Sequence, residues 1–586
     1  ASPPAATDGD LARALAFAVA ADVLCLEDPG AFADDVRVRR PDAAAPRPLS
    51  FATAAELGLS ETDAGLVPAL VPALLPRVPR ASSARFLKRW LLAPPPEAAA
   101  AAMRRLVEAF AACDDPPPLA GAPYVPRQKL VRLLADKEAN RRLFLDVAAA
   151  AGATAATMRE SGPGVTAPLL VLLDAEAGAD ALDAEDALEA ACDRLRDAIL
   201  DVVEADAAAD PGTSDARVPA AFFERNEAPF RGVVKRAVLP DAYGALDAAA
   251  AELAAAVSDD FPPAADVVYD VVNNGLSFKP AAGDGDGFVA PLDRHRRPQH
   301  HKRTSPRVEA ALGSYVAAAE ACAAAAAAEL RALAAAVYGG HVDAALASTA
   351  LAQVCGAAFD HAQAALEKSW GSAAVGPDLA LRNVSPFWLP RDAAAGNDVG
   401  LRRGDVAFLT GPNAAGKSTL LRSLGAAALL SACGLRAPVD GGTAPPLDGL
   451  VLRSPRGDAP VFGKSAFAVE MDDLAQLLDE CTARSLVLVD ELGRGTSARE
   501  GAAVGAAVLC EFRERGYTGV FATHLHEILD VLGGDAPATL KPWRMGAGGD
   551  GGAAFRVEAG VCTDSRALEA AARAGVPAGL VARGHA

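Results

Sequence analysis

The chain has 586 residues and a formal net charge of −19, long enough for roughly three to five domains. Hydrophobic residues make up 51% and charged residues 22%, which excludes a disordered chain. The acidic balance excludes nucleic-acid binding over the whole surface but leaves room for a local basic patch. Nine scattered cysteines form no CxxC pair, so neither a zinc site nor a disulfide framework is expected, and a reducing compartment fits. No run of about 18 strongly apolar residues is read in the sequence, so no membrane partner is expected.

Taken in chain order, the sequence opens at Ala1 on ASPPAATDGD, which is no legible signal or transit peptide. A fragment or a processed product is therefore expected. Residues 1–46 end in a charged, proline-rich stretch. A helix is predicted over Ser83 to Leu92, stopped by the prolines from Pro94. Alanine-rich helical text then runs to about Asp210, where Pro211 and Gly212 interrupt it. Residues 211–306 differ, with the β-branched piece DVVYDVV (Asp266 to Val272) and the turn-prone AAGDGDGF (Ala281 to Phe288). Directly after comes DRHRRPQHHKRTSPR, Asp293 to Arg307, with six Arg or Lys and three His. One long helix follows from about Arg307 to Val337. Val308, Leu312, Tyr315, Ala319, Cys322, Ala326, Leu330, Leu333 and Val337 form a single apolar stripe near heptad period, and Gly339 and Gly340 end it.

After about Gly376 short apolar runs bounded by glycine alternate with helices, the pattern of a parallel α/β sheet. TGPNAAGKST, Thr410 to Thr419, contains G-x-x-x-x-G-K-S between an apolar strand and a helix. Such a loop points backbone N–H groups at phosphate oxygens. Lys417 is then a cation for the β- and γ-phosphates and Ser418 a Mg²⁺ ligand, with Gly411, Pro412, Gly416 and Thr419 part of the same cradle. SLVLVDEL, Ser485 to Leu492, reads as a buried strand delivering Asp490 to Mg²⁺ and Glu491 to the attacking water. FATHLHE, Phe521 to Glu527, presents His524 past a third strand, where a γ-phosphate contact is expected. ATP and Mg²⁺ are the cofactors these motifs call for. Together they describe an ABC-type ATPase without the LSGGQ of transporters. In its place stand GKSAFAVEMDDLAQLL (Gly463 to Leu478) and GRGTSAREG (Gly493 to Gly501).

GPNAAGKST, the SAF-VEM segment, DELGRGTS and FATHLHE resemble the ATPase of the MutS family of DNA mismatch repair proteins. SSARFLKRWLLAPP resembles the start of that family's core helices, and TSPRVEAAL its re-entry into the lever helix. RPLSFATAAELG, KEANRRLF, SPFWLP and AGVCTDSRALEAAARAGVP are similar to the organellar MutS homologues of plants and algae. The resemblance spans roughly residues 47 to 580 and is thin over 145–300. It implies a multidomain chain: mainly α core and lever helices with a small mixed clamp, plus a C-terminal α/β ABC-type P-loop ATPase. The implied segments are 1–80 a connector remnant, 81–210 helical core and lever, 211–306 lever tip and clamp, 307–375 returning lever helix and core, and 376–586 the ATPase.

The resemblance also implies double-stranded DNA as partner and a second MutS-type subunit, in a homo- or heterodimer. Asn413 becomes a nucleotide contact, and Ser465 reaches the partner subunit's ATP. The basic segment lies where clamp meets lever, which makes Arg294, Arg296, Arg297, Lys302 and Arg303 candidate phosphate contacts. The expected role is repair or recombination surveillance, in which ATP hydrolysis switches a DNA clamp, in a mitochondrion or plastid, or in the nucleus. The family usually has glycine where this chain has Ala415, so a less free backbone and slower turnover are expected there. The mismatch-reading F-x-E occurs only at Phe222 to Glu224 and Phe512 to Glu514, both read as chance, and no GIY-YIG nuclease sequence is present. An SMC-like DNA-bridging ATPase is the rival, but it predicts far longer coiled coils and an LSGGQ-like signature. A MutS-like binding scaffold without a repair role is the other.

Overall fold

The computed structural model describes residues 46–585 apart from 60–66, 114–115, 178–184, 281–286, 413, 456–464, 494, 534–539, 548–552, 563–571 and 573–574. The chain divides into two compact units. The described part of the first comprises residues 122–159 and 185–350, and that of the second 46–121, 160–177 and 351–585. Helix and sheet are mixed, as the sequence predicts.

The first unit is built around the helix Pro306–Gly340, which starts earlier and ends later than its apolar stripe. Ser305 caps it by accepting a hydrogen bond from Val308 N at 3.0 Å, and Pro306 occupies the first turn, where its missing N–H costs nothing. Val308, Tyr315, Ala319, Cys322, Ala326, Leu333 and Val337 are buried, while Leu312 and Leu330 are only partly so. The stripe packs on the helix Pro240–Asp260 and on an aromatic cluster in which Phe222 and Phe223 stand 5.3 and 5.4 Å from the Tyr315 ring. Phe222 and Phe512, the two F-x-E phenylalanines, are both core residues. Beside this core lies a two-stranded hairpin, β1 (Val268–Asp270) and β2 (Gly275–Ser277), paired antiparallel. The basic segment folds back on it through bridges Phe278↔Arg303, Val289↔Thr304 and Leu292↔Pro298.

By length and composition, Pro306–Gly340 and Val342–Glu367 could cross a membrane, contrary to the sequence reading. Alanine supplies much of that apolarity, and Val342–Glu367 buries 72% of its most apolar window inside the protein.

The second unit holds, among its described residues, a four-stranded and a six-stranded sheet. The former joins β3 (Ala373–Val375), β4 (Leu379–Val384), β5 (Asn397–Leu401) and β7 (Gly441–Ala444) in the order β3-β7-β4-β5. The six-stranded sheet contains β6 (Val406–Thr410), β8 (Gly449–Arg453), β9 (Ser485–Asp490), β10 (Thr518–Thr523), β11 (Leu540–Ala547) and β12 (Ala553–Ala559). Its order is β12-β11-β6-β10-β9-β8, parallel except for the β11–β12 pair. β6, β9 and β10 are buried at every residue, which is why their sequences run apolar without alternation.

Four helices of this unit matter below: α1 (Phe51–Glu56), α2 (Lys417–Ala432), α3 (Ala466–Glu480) and α4 (Ala498–Glu514). Residues 81–111, read from sequence as helical core, also lie in this unit. Trp90 Nε1 donates to Cys433 O at 2.9 Å and Arg104 to Ser431 O at 2.8 Å, so these helices satisfy carbonyls at the C-terminal end of α2.

Candidate nucleotide site and basic surface

The parallel register aligns the ends of three strands. Thr523 pairs with Thr410 and Ala522 with Asp490. The loop after β6, the acidic pair at the end of β9 and His524 after β10 therefore emerge along one sheet edge, the place where ligands bind in such folds.

The loop turns on two left-handed residues, Ala414 at φ 63° and Gly416 at φ 99°. Ala415 has no positive φ, so the freedom of a glycine is not required there; the strain sits one residue earlier, at Ala414. Lys417 is buried, and its Nζ donates to Gly411 O at 2.7 Å and Pro412 O at 3.2 Å. Burial holds its ammonium below the usual range, against the opposing pull of Glu491 and Asp490. Asn413 lies outside the described residues.

Asp490 is 2% exposed, and its Oδ1 accepts no hydrogen bond among the described residues. Burial pushes its carboxyl up, while a hydrogen bond from Ser418 works the other way. A buried carboxylate oxygen without a donor, next to a hydroxyl, is an all-oxygen donor set. Ser418 and Asp490 fit Mg²⁺.

Glu491 leaves the strand at φ 50°, a conformation uncommon for glutamate, and its N–H donates to Ala522 O at 2.8 Å. Its Oε1 stands 3.9 Å from His524 Nδ1; the His524 side chain is 45% exposed and that of Glu491 17%. Just beyond, Gly493 N–H donates to Oε2 of the buried Glu470 at 3.1 Å. Gly493 sits at φ 85°, and a Cβ there would come within 2.8 Å of Gly501 Cα. Glu470 thus ties α3 to the turn after the acidic pair. The sequence reading quoted its VEM segment without giving this glutamate a role.

A cavity of about 280 Å³ opens beside the loop. Pro386, Trp388, Asn397, Gly416, Thr419 and Phe555 are among its lining residues. Phe555 is half exposed at φ 53° and lies over Gly416, where a Cβ would meet its ring at 3.1 Å. Asn397 accepts from Val557 N at 2.7 Å and donates to Phe555 O at 3.1 Å, which fixes that strand beside the loop. The sequence reading missed both residues; neither belongs to a motif, and only SPFWLP marked the neighbourhood.

Ser465 is exposed and serves as the N-cap of α3, accepting from Ala468 N at 3.3 Å. It is not among the residues brought together around Asp490.

In the first unit the five candidate cations of the basic segment are not equivalent. Arg294, Arg296 and Arg297 are exposed, although Arg297 also pairs with Asp293 at 3.2 Å. Lys302 is half-buried and bonds Asp270 at 2.7 Å, holding that carboxyl well below the usual carboxylate range. Arg303 donates to the carbonyls of His300 and Lys302 at 3.0 Å. Around them Val271, Val272, Val289 and Leu292 are exposed, an apolar component that the charge run did not announce.

Residues 407–586 match the family model for MutS domain V. Over 96% of its length the chain is 28% identical to the DNA mismatch repair protein MSH1, mitochondrial, of Arabidopsis thaliana, covering 54% of that protein. It is 41% identical to DNA mismatch repair protein MutS of Thermus aquaticus over 31% of this chain and 22% of that protein. With DNA mismatch repair protein MutS of a Synechococcus species the figures are 35%, 43% and 28%. The chain thus spans about half the length of the Arabidopsis relative and less of the bacterial ones. A MutS domain V match thus coincides with the strand-end constellation, and the chain is similar to MutS-type DNA mismatch repair proteins along nearly its whole length.

Proposed function

We propose that the chain is an ATP-dependent DNA-binding component of mismatch repair or recombination surveillance. The observation that carries this reading is the convergence of Lys417, Ser418, Asp490 and Glu491 at the ends of parallel strands, with Asp490 Oδ1 buried and undonated. Lys417 exchanges its two loop carbonyls for β- and γ-phosphate oxygens. Backbone N–H groups from Ala414 to Thr419 cradle the phosphates at the start of α2. The cavity under Phe555 and Trp388 takes the base, whose flat face suits an aromatic wall. Mg²⁺, when bound through Ser418 and Asp490, neutralises charge on the phosphates. Glu491 orients a water molecule and draws on its proton, held at its angle by the backbone bond to Ala522. His524, across from Glu491, faces the γ-phosphate.

The DNA part of the proposal is carried by Arg294, Arg296 and Arg297, with the exposed Leu292 held beside their turn by its bridge to Pro298. The relatives are named as DNA mismatch repair proteins, and duplex DNA is the partner their chemistry fits. A second MutS-type subunit, with Ser465 directed to its ATP, completes the proposal. Residence in an organelle follows from the mitochondrial name of the Arabidopsis relative.

The test is the thermal midpoint of the purified chain with ATP, with and without Mg²⁺, followed by a phosphate-release assay. ATP–Mg²⁺ should raise the midpoint by mass action. A chain that gains no stability from millimolar ATP–Mg²⁺ would overturn the reading.

A further inference from the structure

The segment just after Pro46 falls in the stretch 1–80 expected from the resemblance to be a connector remnant, yet it covers an edge of the second unit's sheet. β8 is an edge strand of that sheet. Edge N–H groups need partners, and α1 supplies one: Leu452 N–H donates to Oγ1 of the buried Thr53 at 3.2 Å. Arg47 continues the cover, its backbone N–H donating to Asp448 O at 2.8 Å and its guanidinium to Ser485 Oγ at 2.9 Å.

The same segment touches the helix that opens at Lys417. Gly425 of α2 has no side chain, and a Cβ there would meet both Leu57 and Leu488 at 3.2 Å. One turn earlier, Arg422 Nε and Nη2 donate to the same Glu56 oxygen at 3.0 and 2.9 Å, and both side chains are only 15% exposed. Arg422 and Gly425 share one face of α2 and Leu488 and Asp490 one face of β9, so the Gly425–Leu488 approach sets Arg422 on the Asp490 side of the helix.

We propose that Glu56 is a positioning residue of the nucleotide site, holding the Arg422 guanidinium on α1 so that Asp490 stays free for Mg²⁺. The proposal rests on the ATP–Mg²⁺ reading above. Without Glu56, Arg422 is a buried cation whose nearby anion is the carboxylate that the metal requires. Arginine and Mg²⁺ then compete for one set of oxygens. Leu57 contributes packing and no charge, so it separates positioning from plain support.

The experiment measures, in the full chain, the Mg²⁺ concentration at which ATP reaches half of its effect on the thermal midpoint. Three chains are compared with the parent: Glu56→Gln, Leu57→Ala, and the double exchange Glu56→Arg with Arg422→Glu. Glu56→Gln should raise the half-effect Mg²⁺ concentration about fivefold, with a parallel rise in the Mg²⁺ needed for turnover. The double exchange should recover most of that shift. Leu57→Ala should lower the midpoint of the nucleotide-free protein and leave the Mg²⁺ requirement alone. Equal Mg²⁺ requirements in Glu56→Gln and parent overturn the proposal, as does an equal shift in Leu57→Ala. If Glu56→Gln does not fold, the double exchange decides, since failure to restore a parent-like requirement overturns it. A parent chain that ignores ATP–Mg²⁺ altogether instead overturns the nucleotide reading itself.

Discussion

Two short polar loops carry the functional argument, and they are made in opposite ways. The loop from Gly411 to Lys417 turns its one cation inward, buries it, and occupies it with its own carbonyls. The loop from Asp293 to Arg303 turns Arg294, Arg296 and Arg297 outward and keeps Lys302 for an internal ion pair. A site for a small multivalent anion gains from desolvation, which strengthens each charge contact. A surface for an extended polyanion needs reach and many weak contacts, each screened by salt. The contrast predicts that single changes in the first loop act sharply and those in the second gradually.

The sharpest break comes at the first loop. Lys417→Ala should abolish the ATP-dependent rise in thermal midpoint, because the loop loses the side-chain cation that faces the phosphates. Glu491→Gln should keep that rise and lose turnover by about 10² to 10⁴-fold, the usual span for a general base. Phosphate release by Glu491→Gln at the parent rate would show that the carboxylate role belongs elsewhere.

How legible each loop was follows from where its partners lie in sequence. Lys417, Ser418 and the helix they start are neighbours, so spacing alone specified them. The placement of Asp490, Glu491 and His524 at one sheet edge was legible because a buried parallel strand leaves a run of apolar residues that ends where the chain leaves the sheet. Glu470 and Asn397 were not legible, since their partners, Gly493 and the strand around Phe555, are set by tertiary packing. The same holds for Thr53 and Glu56, which meet β8 and α2 from hundreds of residues away. In the basic segment, composition showed six cations but could not show that Asp270 claims Lys302 and that Asp259 and Asp260 claim Arg307. The long helix was legible to within a few residues because its stripe is one face repeated over many turns.

Acid should separate the two units. His361, fully buried in the second unit, donates from Nδ1 to Leu74 O at 3.2 Å and accepts at Nε2 from Arg436 N at 3.0 Å. That pattern requires the neutral ring, and burial lowers its pKa from 6.5 to about 4. Over this window the unfolded chain takes up the proton that the folded one refuses, so stability falls with pH, by roughly 3 kcal/mol in all. The Asp270–Lys302 pair in the first unit behaves otherwise. Its depressed carboxyl contributes stability that is lost only as pH falls below the ordinary carboxylate value. All four tryptophans, Trp90, Trp370, Trp388 and Trp543, lie in the second unit. Denaturant unfolding followed by tryptophan fluorescence should therefore show the loss between pH 6.5 and 4. His361→Gln, which keeps a donor and an acceptor, should flatten it; an unchanged slope would remove His361 as the cause.

The smallest effects belong to the outward loop, where they test what the arginines read. If Arg294, Arg296 and Arg297 each meet one phosphate, they account for a slope of about −2.7 in log affinity against log salt. Replacing all three with Gln should remove that share of the slope. Lys302→Gln should instead lower thermal stability, because Asp270 loses its partner, and leave the salt slope near the parent value. Phosphate contacts carry no base information, so the triple variant should weaken matched and single-mismatch duplexes by the same factor. The measurement is a titration of both duplexes at two salt concentrations with parent and triple variant. A tenfold change in the ratio of the two affinities, about 1.4 kcal/mol, would mean that these arginines reach base edges. The loop would then hold its side chains in one fixed geometry, as the Lys417 loop does, and the contrast between the two loops would fail at the point where it predicts most.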